Sequence, residues 1–222
     1  MQVQEKNIKG FNLIELLVVI AIISVISAAA YPNFSSWKKA REVRGAAVKI
    51  KSLFTNINSQ VQRGLYGFVQ VEVTALKTGE VEVISKGMKL SNLSSKINDS
   101  EDDWNDDQTS RCAKDQDWDD EGNKSNKLEV NSLKFDDIAV NFEKKSGTVC
   151  FSKDGSWYST AEEFESSGAF YICEVKEIEC DVKADGVPND LNQDNLFALN
   201  WSRFGNITLE KWSKSKSEWI LQ

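Results

Sequence analysis

The stretch NIKGFNLIELLVVIAIISVISAAAYPNF, residues 7–34, decides how the chain begins to fold. Nearly every side chain from residue 11 to residue 31 is apolar, and a helix of that length is about 30 Å long, which matches the hydrocarbon thickness of a bilayer. The run therefore predicts a membrane-spanning helix over residues 11–31. Glu15 lies within it, although a carboxylate in hydrocarbon costs roughly 2.5–3.5 kcal/mol and needs a compensating partner.

The residues around this apolar run leave its processing and orientation open. A secretory signal peptide ends in small residues, as residues 27–30 do, but a carboxylate inside its apolar core is atypical. Positive charge marks the cytoplasmic side of a membrane helix, which would place the following domain in the cytoplasm. The basic residues that follow the run are Lys38, Lys39, Arg41 and Arg44.

The cysteines favour the opposite orientation, because all of them lie beyond the run and their even number fits an exported domain with two disulfides. They are Cys112, Cys150, Cys173 and Cys180. No Cys-x-x-Cys spacing supports a thioredoxin-like redox site or a zinc knuckle, and free buried thiols are the alternative. Three pairings are open, of which we favour Cys112 with Cys150 and Cys173 with Cys180.

Composition excludes several classes of function. The 222 residues suffice for one membrane helix and one soluble domain of ordinary size. A formal charge of −7 disfavours nucleic acid and anionic lipid as partners, since both repel an acidic protein. The chain has no histidine, which removes Ser-His-Asp and Cys-His catalysis and His-ligated zinc. Most familiar hydrolase mechanisms are thereby excluded.

The order of residues around Glu15 carries a family resemblance. A Lys-Gly pair ending at Gly10, then Phe11, a glutamate at the fifth position after the glycine and an apolar run up to Pro32 resemble the leader and N-terminal helix of type IV pilins and type II secretion pseudopilins. The resemblance implies that residues 1–10 are a leader peptide. It also implies that a prepilin peptidase cuts after Gly10 and that the new amino terminus, Phe11, is methylated.

The same resemblance implies a location and a set of partners. The chain would be held in the inner membrane as a single-pass protein, with the domain that follows on the periplasmic side. An inner-membrane assembly platform would then add it to a filament of other pilin or pseudopilin subunits. In such filaments the N-terminal helices bundle, and Glu15 would neutralise the Phe11 amine of a neighbouring subunit.

Beyond the apolar run the pattern indicates that the helix continues. Pro32 predicts a kink, because it lacks the amide hydrogen that a helix needs. Gly64 and Gly67 supply a stop, so we predict one bent helix over residues 11–63, with an amphipathic second half in residues 32–64. Apolar residues recur there at intervals of three and four, as one buried stripe requires. This stripe is Phe34, Trp37, Ala40, Val43, Ala47, Ile50, Phe54, Ile57 and Val61.

Residues 65–222 change to a period of two, which is typical of strands. Gly, Asn, Asp and Ser separate the segments. A long helix followed by strands predicts an α+β fold, in which the helix packs on an antiparallel sheet. The predicted strands are YGFVQVEV, GEVEVIS, LKFDDIAVNF, GTVCFS, GAFYICEV, NLFALNW and NITLEKW.

Two longer segments resemble one subgroup of the family. Residues 32–64, with Pro-x-Phe-x-x-Trp and an Arg-x-Ala-Ala step, are similar to pseudopilin H and to the FimT/FimU-like minor pilins. The segment VCFSKDGSWYSTAEEFESSGAFYIC, residues 149–173, is similar to a later strand pair of that subgroup. The resemblance implies a minor, structural subunit of a type II secretion pseudopilus or a type IV pilus.

An acidic insert over about residues 98–124 sets the sign of the whole chain, with eleven carboxylates against two basic residues between Asp99 and Glu121. Three of its carboxylates have the spacing that opens an EF-hand calcium loop. These are Asp115, Asp117 and Asp119. The loop then needs Gly and Glu where this chain has Asp120 and Asn126, so a true EF-hand is disfavoured. A looser calcium site and a solvated surface loop remain the two interpretations, and a membrane-anchored calcium-binding domain is an alternative function.

A second alternative is a DNA-binding minor pilin for natural transformation. Some FimT-like minor pilins bind DNA through an arginine-rich C-terminal region, but the corresponding stretch NWSRFGNITLEKWSKSKSEW contains only Arg203, followed by Lys211, Lys214 and Lys216. Phosphate binding by these lysines would have to overcome the acidic insert. Nucleic acid is therefore a disfavoured partner.

The tryptophans beyond residue 100 have two interpretations, sugar stacking and packing within the sheets. We predict core and cross-strand packing, because strand patterns surround them. The residues in question are Trp104, Trp118, Trp157, Trp201, Trp212 and Trp219.

Overall fold

A computed structural model describes residues 12–77, 79–98, 112, 128–140, 146–159, 169–175, 180–183, 186–191, 193–202 and 206–222. The chain divides into two compact units, Met1–Lys39 and Ala40–Gln222. In the first unit the described residues from 13 onward are helical. In the second unit the described residues form the rest of that helix, a short second helix and ten strands.

Helix α1 runs from Leu13 to Gln62, within two residues of the predicted bounds at either end. Its backbone is helical on both sides of Pro32, and the kink expected there stays a prediction. Gly64 ends the helix with a φ of 75°, in the left-handed region that favours glycine. The amides of Gly64 and Leu65 donate to the carbonyls of Val61 (2.8 Å) and Gln60 (3.0 Å), which is the Schellman arrangement.

Replacing Gly64 by alanine should lower the free energy of unfolding by about 1 kcal/mol, because a Cβ disfavours the left-handed conformation. Gly45 is the matched control: it lies inside α1, and a Cβ added there meets no atom within 4 Å. Gly45→Ala should raise stability by roughly 0.5–1 kcal/mol. Urea unfolding of the full chain in detergent micelles measures both. Equal effects at the two glycines would contradict this account of the helix end.

The buried stripe of α1 lies in the second unit. Its members are Val43, Ala46, Ala47, Ile50, Leu53, Phe54, Ile57 and Val61. The prediction that the stripe begins at Phe34 and Trp37 is wrong: these side chains are 61 % and 56 % exposed, and their rings lie 5.9 Å apart. The physical reason is that they belong to the first unit, whose described residues include no strand to bury them.

Sheet A consists of β1 (Phe68–Lys77), β2 (Glu80–Met88), β3 (Leu128–Asp136), β5 (Ser146–Ser152) and β6 (Trp157–Ser159). It is antiparallel and has the strand order β3-β2-β1-β5-β6. Alternation along β1 places Val69, Val71 and Val73 in one core with α1, on the inner face of the sheet. Phe68 and Gln70 lie on the opposite, outer face, and both are buried.

Sheet B consists of β4 (Ile138–Val140), β7 (Ala169–Glu174), β8 (Phe197–Trp201), β9 (Ile207–Ser213) and β10 (Glu218–Leu221). It is also antiparallel, with the strand order β10-β9-β8-β7-β4. Phe170, Leu199 and Leu209 join the same core as α1. The α+β fold with antiparallel pairing agrees with the prediction, but the sequence pattern suggested one sheet, and the described strands form two.

The predicted strand LKFDDIAVNF explains this difference. Asp137 has a φ of 60°, so the backbone turns there and the segment divides into two strands. β3 pairs with β2 in sheet A, whereas β4 pairs with β7 in sheet B. Helix α2 (Leu90–Ile97) is an addition that the sequence analysis did not predict, and it packs closely on Gly67.

The turn between β5 and β6 follows the Ser-x-Asp-Gly pattern. The Ser152 amide donates to the Ser156 carbonyl at 3.0 Å, and Gly155 has a φ of 84°. The Ser156 hydroxyl and the Ser156 amide both donate to the Asp154 carboxylate. These hydrogen bonds, the hydroxyl first, lower the pKa of Asp154 below its ordinary value. The sequence analysis did not predict β6, and the two strands that it expected to pair in this segment, β5 and β7, lie in different sheets.

Candidate assembly segment

The first turn of α1 is built by Asn12 and Glu15. The Asn12 carbonyl accepts the amides of Glu15 (3.0 Å) and Leu16 (3.2 Å), and asparagine is among the residues favoured at a helix start. Glu15 lies in this turn and is exposed. A carboxylate is favoured there by the positive end of the helix dipole. Gly10 and Phe11 lie outside the described residues, so their roles stay predictions.

The first unit exposes apolar side chains on every side of α1. All described side chains from Asn12 to Ala28 are exposed. The large apolar ones range from 47 % exposed at Val19 to 74 % at Leu13. A helix with apolar side chains on every side is normally buried in a protein core or in lipid. We therefore expect an apolar partner to surround this part of α1 on all sides.

The sequence predicts a membrane span over residues 11–31. Within the part of the chain that the structure describes, no helix is long and apolar enough to cross a membrane. The membrane span therefore stays a prediction.

The structure forms both favoured disulfides. Cys112 bonds to Cys150 with Cα atoms 5.6 Å apart, and Cys173 bonds to Cys180 with Cα atoms 5.8 Å apart. Among the described residues no cysteine is free. Both bonds are buried, so they act as structural links between segments and do not present a reactive thiol.

The bond at Cys112 ties the acidic insert to the outer face of sheet A. The Cys112 carbonyl accepts the Gln70 side-chain amide at 2.9 Å and the Thr148 hydroxyl at 3.1 Å. Phe68, Met88, Cys112 and Cys150 form one buried cluster there. Asp115, Asp117 and Asp119 lie outside the described residues, so the calcium interpretation stays a prediction.

Sequence reasoning missed how the C-terminal tryptophans hold a loop. The Trp212 indole donates to the Leu191 carbonyl and the Trp219 indole to the Gly186 carbonyl, both at 3.1 Å. Trp212 and Trp219 are opposite each other on β9 and β10, with ring centroids 5.4 Å apart. This arrangement agrees with the predicted cross-strand packing. A buried indole N–H usually finds a hydrogen-bond acceptor, and this was the signal that could have indicated the loop contact.

The lysines considered for phosphate binding have local partners. Lys214 pairs with Asp194 at 2.8 Å, and Lys216 pairs with Glu218 at 3.6 Å. The Lys211 ammonium lies 6.0 Å from the centre of the Phe197 ring. Arg203 lies outside the described residues. These contacts favour a local role for the three lysines, and we do not propose nucleic acid as a partner.

Comparison with known proteins bears on the segment that begins α1. Residues 6–31 match the family described as the prokaryotic N-terminal methylation motif. The chain is also 40 % identical over 47 residues to the type IV major pilin protein PilA of Myxococcus xanthus. These matches support a type IV pilin-like protein. Two fimbrial proteins of Pseudomonas aeruginosa are each 36 % identical to the pilin-like chain over 56 residues.

The similarity is confined to part of each protein. The alignment with the Myxococcus pilin covers 21 % of this chain and 21 % of that protein. The alignments with the Pseudomonas proteins cover 25 % of this chain and 36 % of those proteins. No solved structure matches the pilin-like chain. The described helix followed by antiparallel sheets fits a pilin-like fold, and the subgroup stays open.

Proposed function

We propose that this chain is a minor structural subunit of a type II secretion pseudopilus or a type IV pilus, of the kind formed by pseudopilin H and the FimT/FimU-like minor pilins. Residues 1–10 are a leader that prepilin peptidase removes after Gly10, and Phe11 becomes the methylated amino terminus. An inner-membrane assembly platform then adds the subunit to a filament. The protein is not an enzyme.

One observation carries this proposal. The first unit exposes apolar side chains on every side of α1, and these lie in the segment that matches the N-terminal methylation motif. A helix of this kind is stable only where lipid or other apolar helices surround it. A filament in which such helices bundle provides that environment, and the buried second half of α1 attaches the β domain to it.

The location before assembly follows from the same segment. We propose that residues 11–31 hold the precursor in the inner membrane, with the domain from residue 65 onward on the periplasmic side. The length and composition of the apolar run support a membrane location. The two disulfides support the periplasmic side, because disulfides persist in that compartment.

Intact-mass measurement of the chain purified from its host tests the proposal directly. We expect the mass of residues 11–222 plus one methyl group. A Gly10→Val variant, in which the residue before the cleavage site is enlarged, should keep residues 1–10 and stay out of the sheared filament fraction. A wild-type chain that retains residues 1–10 would overturn the proposal in favour of an uncleaved membrane anchor.

Glu15→Gln should reduce the amount of chain in the sheared filament fraction at least about tenfold. The physical reason is that the variant keeps the size of the side chain but cannot neutralise the Phe11 amine of a neighbour, which leaves a charge in an apolar environment. Immunoblotting of sheared filaments against whole cells measures the effect, and intact mass checks that the leader is still removed.

Glu42→Gln is the matched control, since Glu42 is another exposed carboxylate on α1 but lies in the second unit. We expect the control to enter filaments as the wild type does. If Glu15→Gln also enters them as the wild type does, the pairing of Glu15 with a neighbouring amine is wrong.

A further inference from the structure

Three aromatic side chains at the end of the apolar run are exposed. Tyr31 is 74 % exposed, Phe34 61 % and Trp37 56 %. They follow one another at intervals of three residues, so they lie on one side of α1, and the ring centroids of Phe34 and Trp37 are 5.9 Å apart. All three belong to the first unit, and none is a member of the hydrophobic core described above. Their presence on this side of the helix therefore needs another explanation.

Positive charge follows the aromatic side chains directly. Lys38 and Lys39 are exposed, and Lys38 comes four residues after Phe34, on the side of α1 that carries the aromatic rings. Between Glu15 and Glu42 the sequence contains no carboxylate. The charge of this part of the chain is therefore opposite in sign to the formal charge of −7 of the whole chain. We use the name anchor segment for Tyr31, Phe34, Trp37, Lys38 and Lys39.

The order of side chains along the first unit is the order of the layers in one half of a bilayer. Exposed apolar side chains between Leu13 and Ile26 come first, then the aromatic rings, then the two lysines. Tyrosine and tryptophan are enriched where hydrocarbon meets the headgroups, because their rings are apolar at one end and polar at the other, and lysine side chains extend into the headgroup layer. Ser24, within the apolar part, donates its hydroxyl to the Ile20 carbonyl at 2.7 Å, so it needs no water.

We propose that the anchor segment binds the headgroup layer of a bilayer and selects anionic phospholipid there. The inference rests on the membrane location that belongs to the proposed function, and it adds the chemistry of the lipid and the depth at which the helix is held. Charge complementarity favours an anionic headgroup, since residues 31–39 carry two cations and no carboxylate. The aromatic rings supply the contact with the boundary of the hydrocarbon, and the lysines supply the contact with the lipid phosphates.

The same placement gives Glu15 an environment before assembly. Tyr31 follows Glu15 by 16 residues, which is about 24 Å of helix. The hydrocarbon of a bilayer is about 30 Å thick, so with the Tyr31 ring at one boundary Glu15 lies within about 6 Å of the other. A carboxylate at that depth is close to the opposite headgroup layer, which lowers the cost of carrying it in the membrane.

Depth-dependent quenching tests where the anchor segment lies. The full chain is reconstituted into phosphatidylcholine vesicles whose acyl chains carry bromine, a quencher of nearby indoles, either close to the headgroup or close to the chain end. The contribution of Trp37 is the difference between the wild type and Trp37→Phe, because the other six tryptophans lie beyond residue 100 and are the same in both. We expect the shallow bromine to quench Trp37 at least about twofold more than the deep bromine.

Lipid selectivity tests the partner. Brominated phosphatidylglycerol, which is anionic, should quench Trp37 more than brominated phosphatidylcholine does at the same fraction in the vesicles. We expect a relative affinity of at least about fivefold, which corresponds to the contribution of one lysine near an anionic surface. Lys38→Gln with Lys39→Gln should reduce this preference to below about twofold. Raising NaCl to about 1 M should reduce it in the wild type, because salt screens exposed charges.

Lys89→Gln with Lys183→Gln is the matched control. These lysines are exposed and lie outside α1, and the double variant changes the net charge by the same amount. We expect it to keep the preference of the wild type for phosphatidylglycerol within about twofold. Thermal unfolding of the β domain should be the same in both double variants as in the wild type, because each altered side chain is exposed.

Three results would overturn the inference. They are equal quenching of Trp37 by shallow and deep bromine, a wild type with no preference for phosphatidylglycerol, and a preference that persists in the Lys38→Gln, Lys39→Gln chain. In each case the chain still floats with the vesicles, and leader removal and the Glu15→Gln effect are unchanged, so the proposed function stands. A wild-type chain that does not float with vesicles would instead overturn the proposed membrane location, and the inference with it.

Discussion

Replacing Phe54 by alanine should lower the free energy of unfolding by about 4 kcal/mol, the largest loss we expect from a single substitution in the second unit. Phe54 has no exposed surface and lies at the middle of the buried stripe of α1. The ring of Phe151 in sheet A is 6.3 Å away in an edge arrangement, and the rings of Phe170 and Trp201 in sheet B are 5.6 Å and 6.1 Å away. Phe54 thus joins the helix to both sheets.

The size of the loss follows from the number of layers that meet at Phe54. Removing its ring leaves a cavity bordered by the helix and by two sheets, and each is held by its own hydrogen bonds and cannot move in to fill the space. Phe54→Leu should lose only about 1.5 kcal/mol, because leucine fills much of the volume.

Trp37→Ala is the matched control for Phe54→Ala. Trp37 is also an aromatic side chain on α1, but it is 56 % exposed in the first unit. We expect the control to change the unfolding of the β domain by less than about 0.5 kcal/mol. Urea unfolding followed by tryptophan fluorescence measures Phe54→Ala, and amide circular dichroism measures the control. A loss below about 1 kcal/mol at Phe54 would contradict the described core.

Much of the helix could be predicted from the sequence because its signals are local. The intervals of three and four at Ala47, Ile50, Phe54 and Ile57 identify the buried side, and Gly64 marks the end. Phe34 and Trp37 continue the same intervals but are exposed. Periodicity shows which residues share a side of a helix, and it does not show where the sheets that would cover that side begin.

The division into two sheets could not be predicted, because one residue decides it. LKFDDIAVNF has an alternating pattern that fits a continuous strand, yet the backbone turns at Asp137 and sends β3 and β4 to different sheets. Aspartate tolerates that conformation, but it also occurs in ordinary strand ends. Helix α2 contains three serines in eight residues, and serine favours turns and caps over helix interiors.

The candidate site was partly predictable for a different reason. Gly10, Phe11 and Glu15 are identified by a compact motif with fixed spacing, and the family match covers the same segment. The anchoring of the acidic insert at Cys112 had no such signal. It depends on Gln70, Thr148 and Cys150, which come together only when β1 and β5 pair.

Replacing Cys112 and Cys150 by serine should lower the free energy of unfolding by about 4 kcal/mol. A disulfide restricts the unfolded chain, and the chain-entropy relation gives about 4 kcal/mol for a closed loop of 38 residues. The same relation gives about 2 kcal/mol for the bond between Cys173 and Cys180, whose sequence separation is 7. The second double variant, Cys173→Ser with Cys180→Ser, is therefore the matched control.

When the first bond is lost, hydrogen bonds from Gln70 on β1 and Thr148 on β5 still hold the Cys112 segment on sheet A. The expected loss therefore comes from the greater freedom of the unfolded chain. Urea unfolding of the full chain measures both double variants. The control variant could lose as much stability as Cys112→Ser with Cys150→Ser. That result would show that loop length does not determine which disulfide stabilises the protein more, and that packing around Cys173 and Cys180 contributes more than we assign to it.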